Sequence, residues 1–258
     1  MATERTIRSY LRRSIILAER LEAITSPLAA QRKGILVGFG FLVRNRQLGQ
    51  AILQLGNRHA YEKRILIRTM VEIHINYAWI RLKNGEFRAN RFIKFGPIEQ
   101  LKTLEDLELS GLMHRNDYTA KLKEFRRKRA KVRYLFRHLT SKGKPKWDRA
   151  WASVTSLESR LEEVLKSQTG KYDSFLYALY RLFSSAVHGG PTSLNDVLEP
   201  DIPLRAKPKP ESNPASHLGA ASVILIATMV ALAESSNVIE ALEPELSKLK
   251  RTLERVQA

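Results

Sequence analysis

The sequence predicts an all-α protein, an irregular helical bundle with a long proline-rich loop before its C-terminal helices. Three observations carry that expectation. Leu, Ile and Ala outweigh Val and Thr, which favours helix over sheet. Apolar residues recur three and four apart in nearly every segment, and no run alternates convincingly as a strand would. The chain is 258 residues long and 43% apolar, enough to bury a substantial core. It reads as one helical domain over 1–258.

Residues 4–25 form the first expected helix, with Ile7, Tyr10, Leu11, Ser14, Ile15, Leu17 and Leu21 on one broad face and Ser26-Pro27 as its boundary. Leu28 to Leu55 keeps helical spacing. Its Gly34, Gly38 and Gly40 either permit close helix contact or mark a break near Gly40. A strong helix from about Arg58 to Lys83 carries Ile65, Leu66, Met70, Ile73, Tyr77 and Ile80, and Asn84-Gly85 stops it. Phe87 to Phe95 starts the next helix, interrupted at Gly96-Pro97, and Ile98 to Leu109 continues it.

Asp117 to Leu139 is the most polar helix expected, with Leu122, Phe125, Val132, Leu135, Phe136 and Leu139 as its buried stripe. Thr140 to Lys146 reads as a basic loop. Trp147 to Lys166 reads as a helix opened by a Trp147-Asp148 cap, with Leu157, Leu161, Val164 and Leu165 inward. Tyr172 to Val187 is helical and ends at His188-Gly189-Gly190-Pro191. Residues 190–214, with Pro191, Pro200, Pro203, Pro208 and Pro210, form a long surface loop. The C-terminal helices occupy 215–257: one long helix from Ala215 to Leu242, then a charged tail helix begun by Pro244. The apolar stretch Leu218 to Ala233 is short for a membrane span and suits a buried core helix.

Chemistry is bounded next. The chain has no cysteine, so disulfides, thiolate catalysis and zinc–cysteine or iron–sulfur sites are excluded, and a reducing cytoplasm is the expected location. The N-terminus is too charged for a signal peptide, and no membrane association is expected. The six histidines never fall at i, i+4 spacing, so no metal or cofactor is expected; nor is there a phosphate-binding loop, a dinucleotide glycine motif or a nucleophile elbow.

The net charge of +18 points to a polyanion, RNA or another nucleic acid. Much of it is local: His114 to Arg149 holds fourteen Lys/Arg against three acidic residues. A helix carrying Lys121, Lys123, Arg126, Arg127, Lys128, Arg129, Lys131, Arg133 and Arg137 is suited to tracking phosphates, because each cation can displace a condensed counterion. No base-reading motif accompanies it.

Two further constellations stand out. In Tyr177-x-x-x-Arg181-x-x-Ser184-x-x-x-His188, Arg181 and His188 lie almost two turns apart on one helix face. A guanidinium beside an imidazole can hold a scissile phosphate while the imidazole moves a proton at the ribose 2′-hydroxyl. A histidine before Gly-Gly also suits a helix C-terminus, where its cation meets the dipole. On the central helix, Arg68-x-x-x-Glu72 reads as a half-buried ion pair one turn apart, able to position other polar groups, or as an ordinary intrahelical salt bridge. Arg91 reads as another inward polar residue.

At Leu66-x-Arg68-x-x-x-Glu72-x-x-x-x-x-x-Trp79-Ile80 with Arg91-Phe92, and at Tyr180-Arg181-x-x-Ser184-x-x-x-His188-Gly189, the chain resembles domain-of-unknown-function family 5677, over about residues 35–195. That family in turn resembles the HEPN superfamily of helical ribonucleases and toxins. The resemblance implies a metal-independent RNA endonuclease, a toxin or phage-defence effector, with one site built where two copies face each other in a homodimer. His188 would be general acid/base and Arg181 would stabilise the phosphorane. Ser184 and Tyr177 would position substrate, and Arg68 with Glu72 would support the pair. Leu182 stands where such ribonucleases commonly carry a polar residue. The alternative is a non-catalytic basic helical module that binds nucleic acid or an acidic protein partner, and a regulatory protein partner is a further partner class left open.

Overall fold

Helix α1 (Glu4–Ala29) begins where Thr3 caps it, the hydroxyl accepting from Thr6 N at 3.3 Å. All seven residues expected on its apolar face are buried. The computed structural model describes residues 3–56, 59–111, 115–148, 150–152, 156–167, 178, 180–181, 198–199, 205–206 and 214–257. The further helices are α2 (Lys33–Gln54), α3 (Ala60–Arg81), α4 (Gly85–Leu109), α5 (Arg115–Lys131), α6 (Arg133–Phe136), α7 (Leu157–Ser167), α8 (Pro214–Ser236) and α9 (Ile239–Gln257). Two short antiparallel pairs accompany them, β1 (Arg137–Leu139) with β2 (Pro145–Trp147), and β3 (Leu198–Glu199) with β4 (Arg205–Ala206). The fold is all-α.

The chain groups into two compact units, Met1–Lys83 with Leu157–Ala258, and Asn84–Ser156. In the first unit α1, α2, α3 and α8 pack on one another, α7 lies on α3, and α9 closes on α1 and α8. Leu11, Leu21, Leu42, Ile67, Met70 and Leu225 fill its centre. Ser216–Ser236 is long and apolar enough to cross a membrane, yet 72% of its most apolar window is buried against the bundle.

Of the two roles open to the α2 glycines, close contact holds at Gly38, and the helix runs unbroken past Gly40. A β-carbon at Gly38 would overlap the hydroxyl end of Tyr77, and Tyr77 is fully buried. Gly38→Ala is therefore expected to lower stability by about 2 kcal/mol despite alanine's better helix propensity. A thermal melt checks this; an unchanged Tm would show that the ring moves aside freely.

A polar network crosses this core. Asn45 Nδ2 donates to Thr228 Oγ1 at 3.0 Å, and the Thr228 hydroxyl donates to Ile224 O at 2.9 Å. His74 Nδ1 lies 3.2 Å from the same hydroxyl. That hydroxyl has one hydrogen, already given to Ile224, so Nδ1 carries the donated proton.

Several expected boundaries move. Pro27, Pro97 and Pro244 lie inside α1, α4 and α9 instead of ending or starting helices. The carbonyl four residues back belongs in each case to an exposed residue (Ala23, Ile93, Glu240), so water can take the bond that proline cannot make. The C-terminal break falls at Asn237, in the left-handed region at φ 59°, and not at Pro244. Asn84, at the same φ, separates α3 from α4 at the stop expected from Asn84-Gly85.

The polar helix expected over Asp117 to Leu139 stops at Lys131, and the basic loop after it belongs to a hairpin. Arg137 pairs with Trp147, His138 with Lys146 and Leu139 with Pro145. Gly143, at φ 69°, lets the connection reverse while Thr140 N donates to Lys144 O. Leu139, expected in the buried stripe, is 70% exposed because it lies on a two-stranded ribbon with no layer over it. Val132 and Phe136 are buried as expected. The helix expected from Trp147 begins only at Leu157, since Trp147 is in β2. Within the 190–214 stretch the described residues are the β3–β4 pair and Pro214.

Candidate nucleic-acid interface

The second unit is built around α4. Arg91 on this helix is largely buried and makes the contacts that hold the hairpin. Its Nε donates to Trp151 O at 3.0 Å, Nη1 donates to Leu135 O, and Nη2 meets Asp148 Oδ2 at 2.8 Å. Its guanidinium also lies 4.6 Å from the Phe136 ring centroid. Asp148, expected as a helix cap, instead joins Arg91 to His138, whose Nδ1 is 3.0 Å from Oδ1. Phe95 meets Phe136 edge-on at 5.2 Å, and Phe92 meets Trp151 at 5.0 Å. One side of the hairpin is thereby fixed.

The other feature of the unit is cationic. Helix α5 packs on α4, yet none of its described side chains is fully buried. Lys121, Lys123, Arg126, Arg127, Lys128 and Lys131 are exposed along it, as are Arg133 at the head of α6 and Arg137 at the head of β1. Among the described residues of α5, the ion pair is Lys128 with Glu124, at 2.5 Å. Lys128 holds the exposed Glu124 carboxyl below its usual range. Arg129 is half-buried because its guanidinium lies over the Trp147 ring, 4.9 Å from the centroid, linking the last turn of α5 to β2. All nine basic residues expected at a nucleic-acid face thus belong to this unit, eight of them exposed and Arg129 spent on the tryptophan.

The first unit brings part of each sequence block together. Arg68, only 7% exposed, pairs with Glu72 at 2.7 Å, and its guanidinium lies 5.3 Å from the centroid of Tyr180. Tyr180 is the residue before Arg181, so the Arg68–Glu72 pair stands beside the start of the second block. Arg181 itself is exposed and meets Glu158 of α7 at 3.6 Å, a surface contact worth little. Tyr177, Ser184 and His188 lie outside the described residues.

Spacing within α3 could not reveal what α7 adds. Arg160, 8% exposed, donates from Nη1 to Asn76 Oδ1. Burial lowers its tendency to stay protonated, and Glu72 pulls the other way. Arg68, Glu72 and Asn76 follow at successive i+4 steps, so one stripe of α3 faces the arginine of α7. Trp79 Nε1 donates to Glu163 at 2.7 Å and ties the same two helices together. The sequence holds one usable signal for Arg160, an arginine one position before Leu161 on the inward side of an amphipathic helix.

Neither a curated protein nor a solved structure matches the chain at a significant level. A family of unknown function (DUF5677) matches residues 36–202, well over half the chain and nearly the span expected from the two sequence blocks. The chain therefore belongs to that family.

Proposed function

We propose that this protein binds RNA, and that the unit Asn84–Ser156 supplies the phosphate-tracking surface. The observation that carries the reading is the exposed cationic run of α5, where among the described residues one glutamate pairs with one lysine and the other exposed cations project into solvent. A helix that served only the core would bury a stripe, and a merely solvated helix would mix signs. This one half-buries a narrow stripe, Tyr118, Leu122 and Phe125, and gives the rest of its surface largely to cations. Each phosphate neutralised releases a counterion, so log affinity should fall against log salt with a slope of about −0.7 per contact on single strands. Six contacts would weaken binding on the order of a hundred-fold or more between about 50 and about 200 mM salt. Fluorescence anisotropy with a labelled RNA measures this. A flat salt response would remove the reading and favour a partner held by apolar contact.

A second reading adds cleavage, with the chain as a HEPN-like, metal-independent endoribonuclease. The juxtaposition of Arg68 with Tyr180 favours it, because it brings the Arg68–Glu72 block to the segment that bears Arg181. His188 would exchange a proton with the ribose 2′-hydroxyl as that oxygen attacks the adjacent phosphorus. The 5′-oxygen would leave with a proton from His188 or solvent, giving a 5′-hydroxyl and a 2′,3′-cyclic phosphate, and Arg181 would balance charge on the phosphorane. Wild type is expected to cut total RNA in EDTA and His188→Ala to lose at least about a hundred-fold in rate. Equal cutting by both would discard this chemistry, and no cutting by wild type would leave the binding reading alone.

A further inference from the structure

Outside the cationic run of α5, the second unit exposes the ring of Tyr134. This residue lies on α6 two positions before Phe136, which is 1% exposed and fills the core, whereas Tyr134 is 65% exposed. Two residues apart on one helical turn point to opposite sides, so packing Phe136 inward forces Tyr134 outward. A solvated tyrosine would ordinarily swing among rotamers. This one has a partner that sets its direction, because Lys94 Nζ of α4 donates to its hydroxyl at 3.0 Å. The ring is therefore exposed and orientated at once, flanked in sequence by the exposed cations Arg133 and Arg137.

Resting on the RNA-binding reading, we infer that Tyr134 is a stacking platform for an unpaired base, and that the ligand of this unit is single-stranded RNA. A duplex offers phosphates to the cations but keeps its base faces stacked on one another, so an aromatic ring gains nothing from it. An unpaired strand exposes those faces, and a ring beside a phosphate-binding row is what it needs. The hairpin is consistent with the same ligand. Its aromatic, Trp147, already has Arg129 over one face, and Leu139 adds an exposed apolar side chain beside the basic turn. Because Tyr134 carries no core contact of the kind Phe136 makes, removing its ring should leave the fold intact.

The test compares a labelled oligoadenylate of about twelve nucleotides, within the span a single-strand groove covers, with a duplex RNA of the same length. Wild type, Tyr134→Ala and Tyr134→Phe are measured, with melting curves for all three. Stacking one base predicts a loss of about ten-fold for Tyr134→Ala on the single strand. The duplex should change less than about two-fold, because its bases stay stacked, and Tyr134→Phe should recover most of the affinity because it keeps the ring. An equal loss on both RNAs, or no loss on either, overturns the stacking role. If wild type still shows a steep salt dependence in that case, RNA binding itself stands. If wild type binds neither RNA, both readings fall together.

Discussion

Exchanging three cations in the middle of α5, as Lys121→Gln, Arg126→Gln and Arg127→Gln together, is expected to lower RNA affinity about a hundred-fold near about 100 mM salt. The magnitude follows from counterion release. A slope of about −0.7 per contact means that each contact is worth roughly five-fold one decade below molar salt, and three contacts multiply. The slope itself should flatten by about 2. Glutamine is chosen because it matches lysine and arginine in helix propensity, and because glutamate would crowd Glu124. Cations of the last turn are left in place, since Lys128, Arg129 and Lys131 also complement the helix dipole. None of the three exchanged side chains is buried, so circular dichroism and Tm should be unchanged. A loss below about two-fold, far short of three counterion-releasing contacts, would move the RNA surface off α5, with the acidic protein partner as the remaining use for the charge.

The cationic run is legible in the sequence because it depends on composition, which needs no knowledge of the fold. The same holds for α1, whose apolar face is set by a helical period, and for α8, whose continuous apolar run has to be buried somewhere. What stays hidden is what long-range contact decides. Asp148 reads locally as a cap for a following helix. It becomes the anchor of a hairpin because Arg91, 57 residues earlier, brings a guanidinium to it. Once Asp148 and the Trp151 carbonyl are held there, the chain from Pro145 to Trp147 is extended, and Trp147 cannot open a helix. Arg160 escapes notice for a related reason. A charged residue in an amphipathic helix is assigned outward unless a partner is known, and its partner, Asn76, is on α3. Proline misleads in the other direction: its missing donor is costly only where water cannot reach the orphaned carbonyl, and exposure at Ala23, Ile93 and Glu240 is a tertiary fact.

Acid should destabilise this protein well before its carboxylates are neutralised. His74 and His217 are both buried in the first unit, and burial pushes each down to about 4. Arg81 adds to the effect at His74, as Arg64 and Lys63 do at His217. In the unfolded chain a histidine titrates near about 6.5. Since the folded value is the lower one, protons bind the unfolded state first. Stability is therefore complete above about pH 6.5 and declines as pH falls toward about 4. At about pH 5 each histidine should have cost about 2 kcal/mol, and the two together about 4, a large part of the roughly 5–15 kcal/mol typical of a folded protein. Tm should fall by about 10 °C between about pH 7.5 and about pH 5. His74→Asn offers the control, because its amide nitrogen can replace Nδ1 as donor to Thr228 but does not titrate. That variant should start from a lower Tm at neutral pH, for the ring volume lost, and then lose only half as much on acidification. A wild-type Tm that stays level down to about pH 5 would mean that the two imidazoles meet water or an acceptor when protonated, and that the core around Thr228 opens more readily than its packing implies.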